Sequence, residues 1–86
     1  MITNMDDIAK AHVLITCDMG AEEPVIAELK SIAGVKEVTE IVGGYDIIAS
    51  LETKTDDELR KLIAFKIRKI QNVRATLTLL SIEGQT

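Results

Sequence analysis

Apolar residues recur along this chain with two periods, and the switches between them divide it into alternating strand and helix segments. Ala11-His12-Val13-Leu14-Ile15-Thr16-Cys17 is a β-branched run of strand length, ended by Asp18-Met19-Gly20. From Ala21 to Ala33 the spacing of Val25, Ile26, Leu29 and Ile32 is helical. Glu22 and Glu23 suit the positive end of that helix, and Pro24 in the first turn lacks no needed hydrogen bond. Gly34 predicts the stop. Val38 to Val42 predicts a second strand, Gly43-Gly44 a tight connection, and Tyr45 to Glu52 a third strand, so that these two form a hairpin. Thr55-Asp56-Asp57-Glu58 has the form of a capping box, and Leu59, Leu62, Ile63, Ile67 and Ile70 continue as one stripe of a second helix. Lys66, Arg68 and Lys69 complement its negative end and read as an optimised helix terminus rather than a nucleic-acid patch. A last strand is predicted from Val73 to about Ile82, with Gly84-Gln85-Thr86 as a tail.

An internal repeat organises these elements. Val25, Leu29, Ile32, Gly34 and Val35 match Ile63, Ile67, Ile70, Asn72 and Val73 at a constant offset of 38 residues. Gly34 and Asn72 fall at the same place past a helix end, where a left-handed backbone is needed and these residue types tolerate it best. Two such βαβ units interleave into an α+β domain, a ferredoxin-like βαββαβ sandwich whose four-stranded antiparallel sheet carries both helices on one face. The predicted organisation is a leader, residues 1–10, and a single domain, residues 11–86. The sheet face without helices should then be polar in a monomer. Instead Val13, Ile15 and Cys17 alternate with His12, Leu14 and Thr16, and Val73, Leu77 and Leu79 with Thr76, Leu80 and Ile82, so both parities are largely apolar. At least a homodimer is expected, with that second face buried against another copy.

Charge and composition narrow the partners. A net charge of −4, with an estimated pI of 4.9, repels phosphate backbones, so direct DNA binding is not expected. Tyr45 and Phe65 are the only aromatic residues, which leaves an aliphatic core. With the lone Cys17 no intramolecular disulfide can form, and Asp6 and Asp7 stand where a signal peptide needs apolar residues. A cytoplasmic protein without a membrane span is the expectation.

The sequence offers no catalytic constellation. His12 and Cys17 are separated by an odd number of residues and so point to opposite faces of a strand. The acids Asp56, Asp57 and Glu58 serve the helix start, and no metal-ligand spacing, P-loop or dinucleotide fingerprint is present. No cofactor is implied. What remains is Val42-Gly43-Gly44-Tyr45-Asp46, where glycine allows a ligand close to backbone amides and Tyr45 and Asp46 add a ring, a hydroxyl and a carboxylate. Such a hairpin suits a zwitterion, its amides facing the ligand's carboxylate and Asp46 its ammonium; it suits a phosphate if Arg74 assists. It also suits a plain turn.

Ala11-His-Val-Leu-Ile, then Leu29-x-x-Ile32-x-Gly34-Val35-x-x-Val38, the Val42-Gly43-Gly44-Tyr45-Asp46 hairpin and Ile70-x-Asn72-Val73-x-x-Thr76-x-Thr78 together resemble the effector-binding, or RAM, domain of the Lrp/AsnC transcription regulators. The resemblance spans residues 11–82 and implies subunits that pair through their sheets, dimers that gather into octameric or similar rings, and small effectors, usually amino acids, held between dimers. Carried over by position, the implied ligand residues are Gly43, Gly44, Tyr45, Asp46, Thr76 and Thr78. Only Met1 to Lys10 precede the module here, so a stand-alone RAM protein that associates with full-length regulators is expected, without a DNA-binding helix of its own. The competing expectations are a structural oligomer with no ligand, a nucleotide-binding or ACT-like sensor, and, last, a small enzyme on the same scaffold.

Overall fold

The computed structural model describes residues 8–80. The predicted leader before Ile8, the last residues of the fourth strand and the Gly84-Gln85-Thr86 tail lie outside them. The order is β1 (Ala9–Cys17), α1 (Glu22–Lys30), β2 (Val35–Glu40), β3 (Ile47–Thr53), α2 (Asp56–Leu62), a π-helical turn (Ile63–Ile67) and β4 (Val73–Leu80). The strands form one antiparallel sheet in the order β2-β3-β1-β4, the expected α+β plan.

One parity of each central strand builds the core. Ala11, Val13 and Ile15 of β1 and Ile47, Ala49 and Leu51 of β3 are all buried, and Val25, Leu29, Leu59 and Ile67 cover them from the helices. Full burial of an aliphatic side chain of this size stabilises by about 1.5–3 kcal/mol, so this layer holds the fold. Among the described residues no polar or charged residue is buried.

The repeat appears as duplicated backbone geometry. Val35 N–H donates to Ile32 O and Val73 N–H to Ile70 O, both at 3.2 Å, and each turn contains a residue with positive φ, Gly34 at 99° and Asn72 at 77°. At Gly34 a Cβ would also come 2.8 Å from Leu62 Cδ2, so the glycine serves both the turn and the approach of α2.

The boundaries depart from the expectations where tertiary contacts intervene. The first helix ends at Lys30, three residues early, because Ser31 and Ile32 turn back on Glu28 O and Leu29 O. The second strand lies earlier, at Val35–Glu40, and Ile41 and Val42 belong to its loop. The predicted single second helix is interrupted: Arg68 N–H bonds to Ile63 O, five residues back. Leu62 and Ile67 are both buried although they are five apart. In a regular α-helix such residues lie about 140° apart, and the wider π turn brings them to one face. At the start of α2, Thr55 Oγ1 accepts the Glu58 N–H as expected, but Glu58 returns its bond to Lys54 N–H rather than to the cap residue.

The register also redistributes strand four. Ala75, Leu77 and Leu79 oppose Thr16, Leu14 and His12 on the open face, while Thr76, Thr78 and Leu80 lie on the helix side. Val73 does not share the face of Leu77 as simple alternation predicts. A bulge between Thr16 and Cys17 pairs Val73 with Cys17, so Val73 packs against the core.

Candidate functional site

The hairpin connection runs from Ile41 to Asp46 and is wider than a two-residue turn. Ile41 N–H donates to Asp46 O at 2.9 Å and closes its base, leaving Val42, Gly43 and Gly44 exposed beyond it. Gly43 has φ 148°, a conformation that excludes most side chains, and nothing lies within 4 Å of where a Cβ would stand on Gly43 or Gly44. Both glycines therefore leave the backbone of the loop open to an approaching molecule. Tyr45 is half-buried at its edge.

Asp46 is anchored to the end of β1. Its N–H donates to Ile15 O and its Oδ2 accepts the Cys17 N–H, both at 2.9 Å. The carboxylate thus serves the main chain at the bulge, where Cys17 has left the regular ladder. Cys17 is buried on the helix side and His12 exposed on the open face, so the two point apart as expected. Burial, and next the Asp46 carboxylate, push the Cys17 thiol above its ordinary value, which keeps it in the unreactive neutral form.

Arg74, Thr76 and Thr78 are brought together in a different place. They line a groove of about 560 Å³ on the helix side of β4, with Ile63, Val73 and Ala75, and with Arg68 from the end of the π turn. The hairpin residues do not line it. Only β1 stands between the Asp46 end of the hairpin and β4: its Ile15 pairs with Ile47 on one side and with Thr76 on the other. Arg68, which the sequence assigns to the helix terminus, joins the groove because the π turn sets it over Ile63, a placement that a regular helical period does not reveal. Arg74 Nη1 lies 3.6 Å from Asp18 Oδ1, with both side chains well exposed. A second depression lies between the helices, where Phe65, Lys66 and Lys69 face Glu28 across Ile32 and Ile70. Its rim carries both signs of charge and no converging donors. Among the described residues no cluster of His, Cys, Asp and Glu could hold a metal ion, and no helix is long and apolar enough to cross a membrane.

Comparison with known proteins places this geometry. The model of the Lrp/AsnC ligand binding domain matches residues 10–84. Homocitrate synthase of Saccharolobus islandicus is 40% identical over 72 residues, which are 83% of this chain and 15% of that enzyme, so the chain spans only a small part of this relative's length. The crystal structure of protein PHS023 from Pyrococcus horikoshii superposes with a TM-score of 0.82 at 34% identity, covering 86% of this chain and 89% of that one. The transcriptional regulator NMB0573 in its L-Met complex, from Neisseria meningitidis, shares the fold with a TM-score of 0.79 at 10% identity, over 91% of this chain and 52% of its own. With its βαββαβ order, its open hairpin and a family match over nearly its whole length, the chain belongs to the Lrp/AsnC ligand-binding-domain family, and it is a ligand-sensing regulatory domain.

Proposed function

We propose that this domain senses a small molecule, an amino acid being the first class to test, and passes the signal on by associating with copies of itself and with larger regulators rather than by catalysing a reaction. The observation that carries this reading is the separation of the candidate ligand residues. Gly43, Gly44, Tyr45 and Asp46 sit at the hairpin, and Arg74, Thr76 and Thr78 sit in the β4 groove. A ligand held between copies, hairpin of one against groove of another, links occupancy to assembly. The open sheet face supports a dimer as the first unit: Ile48, Leu14 and Leu77 form one row across three strands, and Leu79 stands beside His12 in the next. A closed ring of such dimers, an octamer among the candidates, follows if the hairpin-to-groove contact repeats. A cytoplasmic setting fits this role. The complex of NMB0573 with L-Met supports the choice of amino acids as first probes.

The test combines calorimetric titration of the twenty amino acids and common nucleotides with light scattering of the same samples. One class should bind and shift the mass distribution, and at 100 times its Kd should stabilise the fold by about 2.7 kcal/mol. A protein that binds none of them and keeps one mass throughout is a structural oligomer, and the proposal fails. The likeness to homocitrate synthase favours a second reading in which the same sensing domain controls a biosynthetic enzyme. Affinity capture from the native cell separates the two by whether a regulator or such an enzyme is retained.

A further inference from the structure

We propose that the β4 groove is a site for a small dianion, a dicarboxylate or a phosphate, gripped by Arg68 and Arg74 together and by the hydroxyls of Thr76 and Thr78. The inference rests on the reading of the chain as a small-molecule sensor and names the ligand chemistry of one half of its site. Two local irregularities each bring one arginine to the lining of the same groove. The first is the π turn. Arg68 N–H bonds to Ile63 O at 2.9 Å, so residue 68 stacks above residue 63 and both line the groove. In an uninterrupted α-helix they would diverge by about 140°, with Arg68 carried away from Ile63. The second is the bulge in β4, whose extra residue is Arg74. Cys17 pairs with Val73 and Thr16 with Ala75, which leaves Arg74 opposite no residue of β1 and outside the strict alternation of the strand.

Both arginines line one groove. Among the described residues no carboxylate lines the groove, in a chain whose net charge is −4. The neighbouring acid, Asp18, reaches Arg74 at 3.6 Å, well beyond the roughly 2.7–2.9 Å of a charge-assisted hydrogen bond, and the solvent-exposed pair is free to exchange for a ligand oxygen. Each guanidinium presents a planar fork that matches one carboxylate or two phosphate oxygens. A monoanion satisfies one fork; two anionic groups, or one doubly charged phosphate, satisfy both. The groove volume, about 560 Å³, lies within the range of small-ligand sites.

Isothermal titration calorimetry tests this on the wild type, Arg68→Gln, Arg74→Gln and Lys66→Gln, with succinate, glutarate and inorganic phosphate as probes and L-glutamine as the neutral comparison. Lys66→Gln removes the same charge but from a side chain that does not line the groove, and circular dichroism melts confirm that each variant folds. The expected result is binding of at least one doubly anionic probe that weakens by roughly ten- to a hundredfold in Arg68→Gln and in Arg74→Gln, the loss of one charged hydrogen-bonding partner, and by less than about twofold in Lys66→Gln. Dependence on both arginines with the carboxylate probes identifies a dicarboxylate site, and with phosphate a phosphate site. Equal affinity of wild type and Arg68→Gln for the bound dianion overturns the inference. So does a protein that binds a neutral amino acid and none of the three dianions, a result that leaves the sensor reading standing. If neither these probes nor any amino acid or nucleotide binds, both readings fall.

Discussion

Asp46 holds two roles apart that a single substitution would confuse. Its Oδ2 accepts the part-buried Cys17 N–H, so Asp46→Ala leaves that donor without a partner and should cost about 1–3 kcal/mol in urea unfolding. Asp46→Asn keeps an oxygen in place and removes only the charge; it should stay within about 1 kcal/mol of wild type and is the cleaner probe of ligand binding. Equal stabilities of the Ala and Asn variants would show that the bond to Cys17 contributes nothing. Cys17 gives a pH test. Its raised thiol pKa means the native state holds a proton that the unfolded chain releases, so this contribution is fully present below the ordinary value of 9.0 and is lost as pH rises above it. The stability of wild type relative to Cys17→Ala should be flat between about pH 6 and 8 and should fall above about pH 9. A difference that stays constant through that window would remove the buried thiol from the account.

At the scale of elements, the two halves of the chain end their helices with the same turn but under different constraints. Gly34→Ala forces a side chain into a backbone with φ 99° and places its Cβ 2.8 Å from Leu62 Cδ2. The left-handed backbone alone costs about 1–2 kcal/mol, and the contact with α2 adds to it, so a loss of about 2 kcal/mol or more is expected in denaturant melts. Asn72→Gly, at φ 77°, relaxes the same geometry and should change stability by less than about 1 kcal/mol. A loss for Asn72→Gly as large as that for Gly34→Ala would contradict this difference in constraint. The start of α2 was readable in the chain because Thr55 and its following acids act locally. Its interior was not, since a stripe of apolar residues every three or four positions is compatible with a regular helix until the sheet beneath demands both Leu62 and Ile67.

For the whole molecule, the open sheet face carries the contact of the proposed dimer. Leu77 and Leu79 are 44% and 48% exposed, and they lie beside Leu14 and His12 in the register of the central strands. Wild-type protein is expected to run as a dimer or larger in light scattering at micromolar concentration. Leu77→Lys should shift it toward the mass of one chain while circular dichroism stays unchanged, because the side chain has no role in the helix-side core. An oligomer that survives Leu77→Lys and Leu14→Lys together would place the interface elsewhere.

Local chemistry determined much of this protein before any contact was known. Helix starts near Ala21 and Thr55, the left-handed turns at Gly34 and Asn72, the antiparallel pairing of the second and third strands and the 38-residue repeat all follow from residues acting within a few positions of one another, or from their periodicity. The same holds for the opposed faces of His12 and Cys17. Only the tertiary structure decided the bulge after Thr16, the π turn at Ile63, the clamp of Asp46 on β1 and the meeting of Arg68 with Arg74. Each of these settles a conflict between a local period and the packing of an element distant in the chain, and such a conflict has no trace in the pattern of either segment alone.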